Sequence, residues 1–154
     1  MANELQATKW LSVAPPKAIS DNAAVATTEI DTAGFDHCTI AVYIGATDIA
    51  LAVCKVQESD TSGSGMADIS GLDSDGDTNT AGSAATLPTA TDDNKMILFE
   101  IDMRGRKRYL DLALTTGDGT AGSFVTAIAV LYRGGLSPGN VTAKRGDVLD
   151  VLRV

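Results

Sequence analysis

Apolar and polar residues alternate with a period of two in several short runs, and no stretch sustains a helical period. Over 37–45, Cys38, Ile40, Val42 and Ile44 share one face, and His37, Thr39, Ala41 and Tyr43 share the other. Residues 45–48 read as a tight turn into a second strand over 48–57. There Ile49, Leu51 and Val53 face opposite to Ala50, Ala52 and Cys54, so the two runs predict a hairpin. A weaker alternation covers 25–31. Strand pattern returns over 95–103. Gly105 then turns the chain so that 108–115 pairs back, with Tyr109, Asp111 and Ala113 alternating with Leu110, Leu112 and Leu114. Gly117-Asp118-Gly119 predicts another hairpin turn. Residues 123–133 form the longest strand pattern, ended by Gly134-Gly135 and Pro138-Gly139, and a last apolar stretch lies at 148–154. Small Ala and Thr side chains on both faces of 48–57 and 123–132 predict sheets covered on both sides, by a second sheet or by a subunit.

Short strands joined by Gly-rich turns, without βαβ alternation, predict an all-β fold, an antiparallel β-sandwich of jelly-roll-like type. Residues 1–24 hold Pro15-Pro16 and one large apolar side chain, Trp10, and read as an extended N-terminal arm. Trp10 either anchors that arm on a neighbouring surface or folds back onto its own domain. The sandwich spans 25–135. Within it, 58–93 is a Ser/Thr/Gly/Asp-rich segment that reads as a long exposed loop, with only 66–72 able to make a short strand. Residues 136–154 form a C-terminal tail or an added strand.

The 154-residue chain is one domain's worth and, burying roughly 70% of its unfolded surface, is long enough to fold without a disulfide or a metal. Its net charge of −8 excludes general nucleic-acid binding, which needs surplus Lys and Arg. No apolar run approaches the roughly 18 residues of a membrane span, and residues 1–20 lack a signal-peptide core. Synthesis in a cytoplasm is the expectation.

Chemistry is sparse. Asp73, Asp75 and Asp77 alternate like the start of an EF-hand calcium loop, a weak metal candidate. The pattern fails at Thr78, where the loop needs Gly, and at Ala84, where it needs Glu. Cys38 and Cys54 fall on the two arms of the predicted hairpin. One register sets Cys38 against Lys55 and a one-residue shift sets it against Cys54. Reduced, buried thiols are the expectation, and the spacing fits no zinc motif. The single histidine, His37, follows Asp36, but no Gly-x-Ser-x-Gly elbow or other nucleophile accompanies it, so no enzyme is expected. Arg104, Arg106, Lys107 and Arg108 concentrate basic charge on an acidic chain. They read either as a solvated turn offset by Asp102 and Asp111 or as a docking site for an acidic surface. Arg145-Gly146-Asp147 matches an adhesion tripeptide and Asn140-Val141-Thr142 a glycosylation sequon, both short enough to arise by chance.

Four segments carry a resemblance. Lys55-Val56-Gln57-Glu58-Ser59-Asp60-Thr61-Ser62-Gly63-Ser64-Gly65 is followed by Ala67-Asp68-Ile69-Ser70-Gly71. Ile101-Asp102-Met103-Arg104-Gly105-Arg106-Lys107-Arg108-Tyr109-Leu110-Asp111-Leu112 precedes Gly117-Asp118-Gly119-Thr120-Ala121-Gly122. This texture, over roughly 30–133, resembles small tailed-phage and prophage virion proteins. The resemblance implies a capsid decoration (cement) protein. Such a protein sits on the outer capsid surface as a homotrimer, with the major capsid protein and its own copies as partners, and needs no cofactor. Other virion roles (tail, head–tail connector, head-fibre base) share the resemblance. A host- or glycan-binding β-sandwich module is the alternative from another class.

Overall fold

The computed structural model describes residues 8–133 and 148–154. The Arg145-Gly146-Asp147 tripeptide, the Asn140 sequon, the Gly134-Gly135 and Pro138-Gly139 breaks and the first residues of the N-terminal segment lie outside them. The described residues form an all-β sandwich with no helix. Its strands are β1 (Thr8–Ala14), β2 (Ile30–Asp31), β3 (His37–Thr47), β4 (Val53–Ser59), β5 (Ala67–Asp73), β6 (Met96–Asp102), β7 (Tyr109–Thr115), β8 (Ser123–Tyr132) and β9 (Val148–Arg153). One sheet runs β1-β8-β3-β6-β9 and the other β2-β7-β4-β5.

The pairings have a simple logic. β1 pairs β8, β2 pairs β7, β3 pairs β6 and β4 pairs β5, all antiparallel. That is the ladder of one long hairpin with its tip between β4 and β5. Rolling it drops successive pairs alternately into the two sheets, and β3·β8 and β4·β7 join the rolled pairs side by side. Only β9 stands outside the scheme, parallel to β6.

This roll corrects three sequence-based expectations. Residues 37–45 and 48–57 do not form a hairpin: β3 and β4 lie in different sheets, and 48–52 crosses between them. The same holds for the strands on either side of Gly105, and for those on either side of Gly117-Asp118-Gly119. A polar, Gly-rich break ends a strand whether the chain then reverses within a sheet or steps to the facing one. Partner choice depends on which apolar faces can be buried together. The alternation itself carries over. Cys38, Ile40, Val42 and Ile44 of β3 and Leu110, Leu112 and Leu114 of β7 all point into the core, with Phe99, Ile97 and Ile101 of β6 between the sheets. Cys38 and Cys54 therefore face the core from opposite sheets as free thiols, and burial pushes both up to about 12.

The Ser/Thr/Gly/Asp segment is not one exposed loop. Residues 67–73 pair with β4 as β5. Beyond it the chain folds inward, burying Ser74, Asn79 and Ala85. The 60–65 tip projects, and Glu29 steadies it by accepting from the Ser62 hydroxyl (2.6 Å) and the Gly63 amide (2.7 Å); 81–84 and 89–91 are exposed as well. The N-terminal segment is also part of the sandwich from Thr8 onward, as the edge strand β1.

The glycines expected to make a hairpin at 117–119 instead allow two crossings to touch. A Cβ on Gly117 would strike the Ala50 carbonyl oxygen, and one on Gly119 the Asp48 carboxylate. Asp48 accepts from the amides of Thr120 (2.6 Å), Ala121 (2.6 Å) and Gly122 (3.1 Å), which hold its pKa below the usual carboxylate value. A carboxylate depressed in the folded state stabilises above its unfolded pKa and loses that contribution as pH falls through the folded value. Asp48→Asn is therefore expected to lower the melting temperature at pH 7 and to flatten its decline in acid. An unchanged acid limb in a melting series from pH 7 to pH 2 would remove Asp48 from the account.

Candidate interaction surface

Among the described residues, the outer face of the five-stranded sheet stays partly exposed along β1, β8 and β3. On β8 the outward side chains are Phe124, Thr126, Ile128, Val130 and Tyr132. Beside them stand His37, Thr39, Ala41 and Tyr43 of β3, set by the pairs His37↔Tyr132, Thr39↔Val130, Ala41↔Ile128 and Tyr43↔Thr126. On the other flank, β1 contributes Thr8, Trp10 and Ser12 through Thr8↔Tyr132, Trp10↔Val130 and Ser12↔Ile128. None of these side chains on β1, β8 and β3 is a carboxylate, lysine or arginine, on a chain of net charge −8; the charges of this face, Glu100, Asp102 and Arg153, lie on β6 and β9. Of the six exposed large apolar side chains among the described residues, Trp10, Tyr43, Phe124 and Ile128 are on this face, so the exposure is clustered rather than scattered.

Trp10 is thus neither buried on its own domain nor carried on a free arm. It is 59% exposed, held in register by its strand. At one end of the face, Pro16, Lys17, Tyr43, Gly45, Phe124, Val125 and Thr126 line a shallow, mostly apolar cavity of about 170 Å³. Gly45 sits close there: a Cβ would lie 3.0 Å from that of Phe124, so Phe124 would have to shift to admit one. At the other end His37 stacks on Tyr132 with ring centroids 5.3 Å apart.

The basic turn lies between β6 and β7, and most of its charge is already matched. Arg104 pairs with Asp102, Arg106 with Glu58 of β4 (3.4 Å) and Arg108 with Asp31 of β2 through two hydrogen bonds of 2.8 Å. The Arg108 contact and the Ala33 amide lower Asp31 to about 2. Of the two acids expected to offset the turn, Asp102 does so, while Asp111 accepts from the Thr27 hydroxyl instead (3.0 Å). Glu58 also accepts from the Lys107 amide (3.1 Å), so the turn is fastened to the sandwich from two sides. Pairs that reach solvent in this way are screened and add little stability. Their larger effect is to spend the positive charge that an acidic partner would read.

Asp73, Asp75 and Asp77 do not converge. Asp77 accepts from the amides of Gly71 and Asp73 (both 2.9 Å), and Asp73 accepts from the amide of Asp75 (2.9 Å). These are turn-forming contacts of Asp with its own loop. Among the described residues no group of three or more His, Cys, Asp or Glu side chains is placed to hold a metal ion. Millimolar calcium or a chelator is accordingly expected to leave the melting temperature unchanged. A calcium-dependent rise, lost on Asp77→Asn, would restore the site.

The open face was not legible as a site, because its residues come from strands distant in sequence. The one signal was the run of uncharged residues on both faces of 123–132. No protein-family model matches the chain, and no curated protein matches it.

Proposed function

We propose that this chain is a non-enzymatic viral structural protein, a capsid decoration (cement) protein. It binds the outer surface of the shell built by the major capsid protein of a tailed phage or prophage, and acts there as a homotrimer. The strand pairing described above corresponds to the double Greek-key wrap of a jelly roll, a scaffold recurrent in viral capsid and lectin domains, and supports the reading as fold-level analogy only. The observation that carries it is the largely uncharged apolar face around Trp10, Tyr43, Phe124 and Ile128, with Lys17 at one end of it. Copies that each carry a net charge of −8 repel, and an uncharged face is where they meet at least electrostatic cost. Assembly of copies there would leave the charged remainder of the surface to solvent and shell. Three linked copies would turn weak shell contacts into firm attachment through avidity.

The test joins two measurements on the full chain. Light scattering is expected to give three times 15.9 kDa. Co-sedimentation with the shells of the encoding phage is expected to show saturable binding. A chain that fails to bind those shells is not a decoration protein. The cavity lined by Tyr43 and Phe124 favours one other reading, a host- or glycan-binding module. Glycan binding abolished by Tyr43→Ala, without shell binding, would select it.

A further inference from the structure

β9 is the strand that the roll does not need. β1–β8 complete both sheets among themselves, and β9 adds to the free edge of β6 in the only parallel pairing among the described residues. The place it occupies is nevertheless built for it. Leu152 is fully buried and packs with the core, level with Phe99 in the register. Asp150, also buried, accepts from the Asn79 side-chain amide (2.7 Å), and Asn79 in turn accepts from the Ala81 and Ser83 amides. The Thr80 amide donates to the Val151 carbonyl (2.9 Å). Arg153 pairs with Glu100, which is itself buried. The Asp102 amide donates to the Val154 carbonyl (2.9 Å). β6 on one side and the 79–83 turn on the other thus form a two-walled slot. Emptied, it would deprive the Asn79 side-chain NH2 and the Glu100 carboxylate of the partners that β9 supplies.

β6 and β8 run the same way, so β9, parallel to β6, begins at the end of the sheet opposite to where β8 stops. The covalent reach of 134–147, up to about 50 Å at 3.3–3.6 Å per residue, is roughly twice the path of about 25 Å back to its own β6 edge. That length allows a reach beyond its own β6 edge.

We infer that 148–154 is an exchangeable strand that fills the β6 slot of a second copy of this chain. The same contacts form in either arrangement, so exchange costs no bonding and adds a connection between copies. Passed head to tail, the strand closes a ring of copies. The inference deepens the homotrimer of the proposed function but needs no shell, so its failure is distinct from failure to bind capsids.

The test is a disulfide trap in the full chain. Leu98 and Val151 are register partners across β6 and β9. Leu98→Cys with Val151→Cys, oxidised with glutathione disulfide, is run on a denaturing non-reducing gel. Exchange predicts that most of the chain migrates as covalently linked multiples that collapse to 15.9 kDa on reduction. A chain that stays at the single-chain position, with its thiols consumed, overturns the proposal. If the double variant folds poorly, the two single variants are co-expressed and oxidised. A disulfide joining a Leu98→Cys chain to a Val151→Cys chain supports exchange, and its absence overturns it.

Discussion

Replacing Phe99 by Ala is expected to cost about 3–5 kcal/mol of stability, the usual penalty for emptying a buried aromatic site. Phe99 is fully buried on β6, level with Ile40 on β3 and Leu152 on β9. Both neighbours are fixed by ladders, so the cavity cannot close by local collapse. For a domain with roughly 5–15 kcal/mol in total, the loss takes a large share of the margin. Urea unfolding should show a lower midpoint with an unchanged slope. A shift worth less than about 1 kcal/mol would mean that the two sheets do not pack on this side chain.

Ile128→Asp is expected to do the opposite: to leave the fold and break the assembly. Ile128 is 43% exposed at the middle of the open face, between Ser12 and Ala41. An outward polar residue costs the isolated sandwich about 1 kcal/mol or less. Between two copies the same carboxylate is desolvated without a partner, and the net charge of each copy grows more negative. A penalty of about 3 kcal/mol per contact weakens association roughly a hundredfold. Light scattering on dilution should then report a mass that falls below the three times 15.9 kDa expected of the unaltered chain. Ile49→Asp, at an exposed apolar residue in the β3–β4 crossing, is the control that should leave the mass unchanged. If the two variants behave alike, the face around Trp10 and Ile128 is not where copies meet.

Both predictions rest on facing, and facing was the most legible property of the sequence. The period of two placed Cys38, Ile40, Val42 and Ile44 on one side of β3 and Leu110, Leu112 and Leu114 on one side of β7, and all of them are core. The short strand within the polar segment was legible too, as β5. Pairing was not. Each Gly- or Asp-rich break was read as a reversal, whereas β3–β4, β6–β7 and β7–β8 are crossings between sheets. A break states where a strand ends and nothing about which edge the next one meets.

Candidate chemistry divides along the same line. The charge concentration at 104–108 is a local fact. Its neutralisation depends on Asp31 and Glu58, which arrive from β2 and β4 only when the sheet forms. The alternating acids at 73–77 imitate a metal loop because Asp suits both ligation and turns. The direction of each carboxylate, toward Gly71, Asp73 and Asp75 amides, is set by the loop's own path. Asp48 shows the reverse case. In sequence it is one acid in a turn, but in the fold it is the clasp between two crossings.

The sequence by itself determined that this protein is built of strands, where most of them end, which side of each is apolar, and that its surface is strongly acidic. Those properties are local, because side-chain alternation and strand breaking act over a few residues. The rolled pairing, the slot for β9, the spent charges of the basic turn and the gathering of Trp10, Tyr43, Phe124 and Ile128 on one face arise in the folded molecule alone. Each of these joins residues tens of positions apart. Their proximity follows from burying all the apolar faces at once rather than from any single stretch of chain.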